Sequence, residues 1–591
     1  LHYRETFMPR LSRTCRLFLL FAGLLIMPGV SFSAAAATAG GDERLVQVAQ
    51  QLAGYLGNGA GSMVAVAGGE LLVSQELADI YRGRDYRPLW QGGEGLRVAA
   101  YALVERLRSA AEHGLCSEDY LLEPIEGLLT LRAAAARRQA KLSPRDTALL
   151  DLLLTQAFLD YGTHLVEGRV DPALAHVDWR ARRRKIDLVR LLPPAVEEGS
   201  LGRLLVELAP PHAGYRDLVQ TLADYRSQAA RGGWPTVPGG ATLRPGDIDP
   251  RLPKLRARLL ATGDLAGPVD YERNAYGPAT VAAVRRFQAR HGLDPDGAVG
   301  WRTVAAMNEP VEARIRQIEL NLERWRWLAR DLGPRHIRVN IADYSLEVVE
   351  GDEVVMAMPV IVGTPYRKTP VFSAQMTYLE FSPYWTVPPT ILREDKLPAI
   401  RRNPAYLQEH HFRIIRSGGR ELSAEELARI NWGKITAERF PGELRMDPGP
   451  WNPLGRVKFM FPNGFNVYMH DTNERGLFDR SRRTFSSGCI RIERPVELAR
   501  YLLRDRSAWT EQRLQEALHL SAPKQVGITP ISTHIQYWTA WVASDGAVHF
   551  RGDLYQRDLD LEVALADPQA LGLRSVATPR QPRPLRVSAL R

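Results

Sequence analysis

Two residues in the C-terminal half have types that together can do nucleophilic chemistry: His470, closing the run VKFMFPNGFNVYMH, and Cys489, inside TFSSGCIRI. A free thiol has a pKa of about 8.5, so a cysteine nucleophile at neutral pH needs a base or a positive charge beside it. His470 offers an imidazole 19 residues upstream, enough chain for a strand end, an excursion through ERGLFDRSRR and a return to the same edge. Gly488 permits close backbone approach and an unusual dihedral, so the amides of Gly488 and Cys489 are expected to face a developing oxyanion. Ser487 shapes the same turn. Arg491 is cationic and near; it either holds a thiolate or substrate carboxylate or pairs with a surface acid, and the sequence leaves both open. By itself a His and Cys at this separation is weak evidence, because many cysteines are inert core residues.

The pair can converge only if the flanking chain forms a sheet. HIRVNIADYSLEVVEGDEVVMAMPVIVG and VFSAQMTYLEFSPYWTVP alternate or cluster β-branched and aromatic residues between turns such as Glu350-Gly351-Asp352, the pattern of strands. Charged, partly helical sequence from Asp395 to about Pro450 interrupts them before VKFMFPNGFNVYMH resumes. A long segment inserted between strands that lead back to a suspected site is a candidate lid.

With 591 residues the chain exceeds the roughly 250–300 at which one core stops growing, so several domains are expected. Hydrophobic residues at 45% and charged residues at 24% exclude disordered and polytopic membrane classes, and a net charge of +10 favours an anionic partner. Residues 42–240 show helical spacing, as in LSPRDTALLDLLLTQAFLDYGTHLVEG with Ser143-Pro144 as its start. A Gly- and Pro-rich linker, GGWPTVPGGATLRPGD, precedes a second block at 248–308, where Val281, Val284 and Phe287 fall on one helix face and glycines punctuate turns. Trp325 and Trp327 are read as packing residues. Residues 509–591 are expected as a C-terminal tail with a hairpin at Asp545-Gly546, cross-strand Trp538 and Trp541, and a disordered TPRQPRPLR. At the other end, Arg10, Arg13 and Arg16 precede a 14-residue apolar run, Leu17 to Val30, and Ala37-Thr38-Ala39. This reads as a signal peptide over 1–39 and places the protein in the periplasm. Of the three cysteines Cys15 lies in that signal; Cys116 and Cys489 would pair as a disulfide in an oxidising compartment unless Cys489 is kept as a nucleophile.

YMHDT, SSGCIR and VGTPYRKTPVF together resemble the catalytic domain of bacterial L,D-transpeptidases, over roughly 335–508. Phe287, Gln288, Gly292, Leu293, Asp296, Gly297, Gly300 and Thr303 resemble the peptidoglycan-binding module of cell-wall enzymes. With the helical N-terminal block, the whole is similar to the large multidomain Gram-negative branch of that family. The resemblance implies a multidomain α+β chain: a helical scaffold, a small three-helix peptidoglycan-binding module and a mainly β catalytic domain with an inserted lid. It implies that Cys489 forms an acyl-enzyme on a peptidoglycan tetrapeptide stem with release of D-alanine, and that His470 acts as base and later proton donor. Gly488 then belongs to the nucleophile turn, while Gly363, Thr369 and Pro370 are structural. The expected product is a 3→3 cross-link, without metal or organic cofactor, and carbapenems should acylate Cys489. Expected partners are the stems and cell-wall synthesis enzymes, not nucleic acid, with membrane contact only through an uncleaved signal. One departure stands out: many relatives have histidine where this chain has Ser487, which leaves the group orienting His470 open between a backbone carbonyl and Asp471. Two alternatives compete, a non-catalytic wall-binding protein and a carboxypeptidase or hydrolase using the same cysteine.

Overall fold

Alternate residues of the strand-like runs around the two candidate residues are buried, and they are the ones that line a single core. The strands are Arg335–Asn340 (β1), Ser345–Glu350 (β2), Glu353–Gly363 (β3), Val371–Phe381 (β4), Val457–Met460 (β5), Met469–His470 (β6), Thr484–Ser486 (β7), Ile490–Ile492 (β8) and Lys524–Gln536 (β9). In the computed structural model the described residues are 43–566, apart from 67–68, 93–94, 176–178, 181–183 and 268–273, with the short strand Ser575–Ala577. The expected signal segment 1–39 and the basic TPRQPRPLR lie outside them.

Strand pairing runs β5-β6-β8-β3-β2-β1-β9-β4, and β4 pairs back onto β5, so the sheet closes on itself. β7 adds to β3 in parallel. Ile337, Val339, Val360, Val362, Met376, Leu379, Val457, Phe459, Met469, Ile490, Ile492, Ile531 and Ile535 are all essentially inaccessible and form the interior. Closure removes the exposed edges that an open sheet must otherwise protect.

This corrects the expectation of a tail from residue 509. β9 lies between β1 and β4, parallel to the first over Ser532–Gln536 and antiparallel to the second. Beyond it, Ala540–Val542 and Val548–Phe550 do form a hairpin. Trp538 stacks on Trp325 with ring centroids 4.5 Å apart, a packing contact. The inserted unit also begins earlier than Asp395. Trp385–Thr386 already pairs with Glu443–Met446, which pairs with Phe412–Ile415, over a separate core of Trp385, Leu397, Ile400, Phe412, Ile414, Trp432 and Leu444.

The N-terminal block is built around Pro144–Glu167 (α1), a 24-residue helix buried on nearly every side. Ser143 caps it by accepting from the Asp146 amide at 3.0 Å, and proline opens it where its missing N–H costs nothing. It ends at Gly168, φ 83°, where a Cβ would sit 2.5 Å from Glu323 Oε1 on Val311–Arg326 (α2). Two short hairpins, Met63–Val66 with Gly69–Leu72 and Gln91–Gly92 with Gly95–Leu96, accompany the helices. The second block has helices Leu252–Ala261, Pro278–Arg290 and Trp301–Met307. Its signature residues serve the fold. Phe287 is inaccessible, and Gln288 accepts from the Gly297 amide while donating to Asp296 and the Ala298 carbonyl, each at 2.9 Å. No helix among the described residues is long and apolar enough to cross a membrane.

Candidate active site

One strand register assembles the site. β6 and β8 run parallel, with Met469 opposite Ile490 and His470 opposite Arg491. Paired residues of parallel strands share a face and successive residues alternate. Met469 and Ile490 point into the core, so His470 and Arg491 take the other face. The ladder continues one step back, where the Ile490 amide donates to the Tyr468 carbonyl at 3.1 Å, which adds Tyr468 and Cys489 to that face. Lys458 of β5 lies opposite His470 from the other side.

The turn before the cysteine is pinned from below. Gly488 has φ 113°, a conformation that side-chain-bearing residues rarely adopt. Its carbonyl accepts from the inaccessible Thr369 hydroxyl at 2.9 Å, and the same oxygen accepts from the Gly363 amide at 2.9 Å. Gly363 is forced by space, since a Cβ there would lie 2.0 Å from the Arg367 carbonyl. Ser486 Oγ accepts from the Gly488 amide at 3.1 Å and donates to the Cys489 carbonyl at 2.5 Å. The expectation that the Gly488 amide faces an oxyanion is therefore corrected: that donor is already bound within the turn.

Cys489 is half-buried and is not bonded to Cys116, whose thiol donates to Glu118 at 2.7 Å, so the disulfide alternative falls away. Burial raises the pKa of Cys489, opposed by hydrogen bonds from the Tyr468 amide and hydroxyl and by the charges of Lys458 and Arg491. His470 is 4% exposed. Its Nδ1 lies 2.5 Å from the Asp471 carbonyl oxygen; a carbonyl only accepts, so Nδ1 carries the proton and Nε2 keeps its lone pair. Burial, then Arg491 and Lys458, hold its pKa down to about 3. The orienting group is thus the backbone carbonyl. The Asp471 carboxylate is engaged elsewhere, accepting from the amides of Arg456 at 2.8 Å and Thr472 at 2.7 Å.

Arg491 is ion-paired with Glu474. Ser487 is exposed and accepts from Arg367 at 2.9 Å. Arg367 in turn grips the inserted unit through Asp395 at 2.7 Å and Glu394 at 2.8 Å. The structure therefore gathers Cys489, His470 and Arg491 on one face, with Gly488 and Ser487 in the turn. Tyr468, Lys458 and Arg367 join them without having been singled out in the sequence. Tyr468 stands two residues before His470, and the period of a strand was a signal that could have found it. Among the described residues, no cluster of three or more His, Cys, Asp or Glu side chains could hold a metal ion.

Comparison with known proteins gives three matches along the chain. Residues 75–222 match a scaffold domain, residues 249–307 a "Putative peptidoglycan binding domain" and residues 334–529 an L,D-transpeptidase catalytic domain. A curated relative from Haemophilus influenzae, described as a "Putative L,D-transpeptidase", is 34% identical over 232 residues, 39% of this chain; the chain spans 45% of that relative's length. Among solved structures, an L,D-transpeptidase from Mycobacterium smegmatis is 12% identical, covering 34% of this chain and 58% of its own, with a TM-score of 0.17. Another from Xylanimonas cellulosilytica is 15% identical, covering 51% and 99%, with a TM-score of 0.15.

Proposed function

The chain belongs to the multidomain L,D-transpeptidases, and within that family we propose that Cys489 and His470 carry out a two-step acyl transfer on peptidoglycan stems outside the cytoplasm. The observation that carries this reading is the register of β6 on β8, which sets a half-buried thiol and a neutral imidazole on one face of the sheet.

The protonation states define the first step. The thiol is protonated at rest, because burial raises its pKa, and His470 is uncharged with Nε2 free. His470 therefore acts as a general base that takes the Sγ proton as sulfur attacks, rather than as half of a preformed ion pair. The Asp471 carbonyl fixes the tautomer this requires. The Cys489 sulfur adds to the carbonyl between diaminopimelate and the terminal D-alanine of a tetrapeptide stem. Negative charge develops on that oxygen, where the Tyr468 hydroxyl and the Cys489 amide are the donors we assign, since the Gly488 amide is occupied. The C–N bond breaks, His470 returns the proton to the departing amine, and a thioester remains. The side-chain amine of a second stem's diaminopimelate then attacks the thioester, passes a proton to His470, and expels the sulfur, which is reprotonated. The product is a 3→3 cross-link; water in place of the amine gives the tripeptide.

The test is incubation of the protein and its Cys489→Ala variant with purified tetrapeptide muropeptides, followed by mass spectrometry. The native chain is expected to yield dimers and the variant none. Dimers formed by the variant at the native rate overturn the assignment of Cys489, and tripeptide without dimer from the native chain makes water the acceptor.

A further inference from the structure

On the catalytic face itself sits a half-buried lysine that the acyl-transfer scheme does not use. Lys458 projects from β5 between two strands, opposite Glu380 of β4 on one side and His470 of β6 on the other. Its Nζ is 3.3 Å from Glu380 Oε1 and 4.6 Å from the centroid of the Tyr468 ring; the Lys458 and Glu380 side chains are each 14% exposed. The second oxygen of Glu380 accepts from Gln525 of β9 at 3.0 Å, so the carboxylate is itself held in place.

Burying an ammonium is costly, and an apolar side chain of the same length would fill this space under the ring without that cost. A half-buried charge kept on the same face as a reacting group points to a role at that group. The charged and titratable groups around Lys458 are Glu380 from β4, His470 from β6 with Tyr468 just before that strand, and beyond them Arg491 on β8 with Cys489 just before it. Arg491 is neutralised by Glu474. The Glu380–Lys458 pair is instead a dipole whose positive end lies under the ring of Tyr468, the residue that the ladder sets beside Cys489 on the same face.

We propose that Lys458 is a positioning residue for the reaction: through the face of Tyr468 it fixes the hydroxyl beside the Cys489 sulfur and supplies the positive field that favours the thiolate. This rests on Cys489 being the nucleophile. The direction in which the Lys458 charge acts on the thiol, toward ionisation against the effect of burial, agrees with it. The same charge opposes protonation of His470, which keeps the imidazole in the state a base requires.

The experiment uses the full chain and reads the ionisation of the sulfur directly, as the rate of iodoacetamide alkylation of the Cys489 peptide across pH. Relative to the native protein, Lys458→Met should raise the apparent thiol pKa by about one unit and slow alkylation at neutral pH roughly tenfold. Lys458→Arg should restore the native profile, and Glu380→Gln, which uncovers the ammonium, should move the pKa the other way. A merely structural lysine would lower the melting temperature of the methionine variant and leave the pH midpoint in place; a superimposable profile overturns the proposal. Should Lys458→Met fail to fold, Glu380→Gln decides, and an unmoved midpoint there overturns it equally. Alkylation does not depend on turnover, so this outcome is separate from that of the muropeptide assay.

Discussion

Replacing Thr369 by valine removes one oxygen and keeps the side-chain shape, at the residue that ties two loops together. That oxygen is hydrogen-bonded at 2.9 Å to the Gly363 amide and at 2.9 Å to the Gly488 carbonyl, and the residue is inaccessible to solvent. Valine would leave a donor and an acceptor buried without partners. Each such group costs about 1–3 kcal/mol, so about 2–6 kcal/mol should be lost from the local stability of the turn. Because a chain of several domains does not melt as one unit, the appropriate reading is local hydrogen exchange. In peptides spanning residues 359–371 and 484–492, exchange should accelerate by roughly 30- to 25,000-fold, the factor corresponding to that energy. Thr369→Ser keeps the oxygen and loses a methyl, worth about 0.8 kcal/mol, and separates hydrogen bonding from packing. If both segments of the valine variant exchange at the native rate, the hydroxyl does not bridge them and the account of how the Gly488-Cys489 turn is held is refuted.

Two further outcomes follow from the site. The folded pKa of His470 is held at about 3 against an ordinary 6.5, so between those values the unfolded chain binds more protons than the folded one. The stability this contributes is complete above about pH 6.5 and is lost as pH falls toward 3; the decline in melting temperature of the catalytic transition across that window should be shallower in His470→Gln, and equal slopes would contradict it. Arg367→Gln should leave melting nearly unchanged, since partly exposed ion pairs contribute about 1 kcal/mol or less, yet speed exchange in residues 389–402 by releasing Asp395 and Glu394. Native exchange in that segment would mean that Arg367 does not hold the inserted unit.

The parts of this architecture that could be read from the chain are those written in local pattern. The alternating and clustered β-branched and aromatic residues of β1 through β4 predict strands, whereas His470 and Cys489 are weak evidence by their spacing and gain a catalytic reading only through the resemblance of the strings around them. β9 could not be read this way. KQVGITPISTHIQ buries Thr533, His534 and Gln536 beside Ile531 and Ile535, so its polarity does not alternate, and its place depends on partners far away in sequence. YWTVPPT reads as a continuing strand, which hid the true start of the inserted unit at Trp385. The misassigned Gly488 donor has a similar origin: its partner, Ser486, lies two residues away, and only the folded turn shows that its hydroxyl faces back. Lys458 and Tyr468 carry no signature of their own, because their use arises from cross-strand register.

The late position of β9 bears on how the polypeptide is made. Every reactive side chain leaves the ribosome before Lys524, while the rims of β1 and β4 that β9 joins are still unoccupied. A frame that stopped short of Lys524 would encode the full reactive set on an unclosed ladder with two bare hydrogen-bonding rims, a species suited to sticking to its own copies rather than to serving as a smaller catalyst.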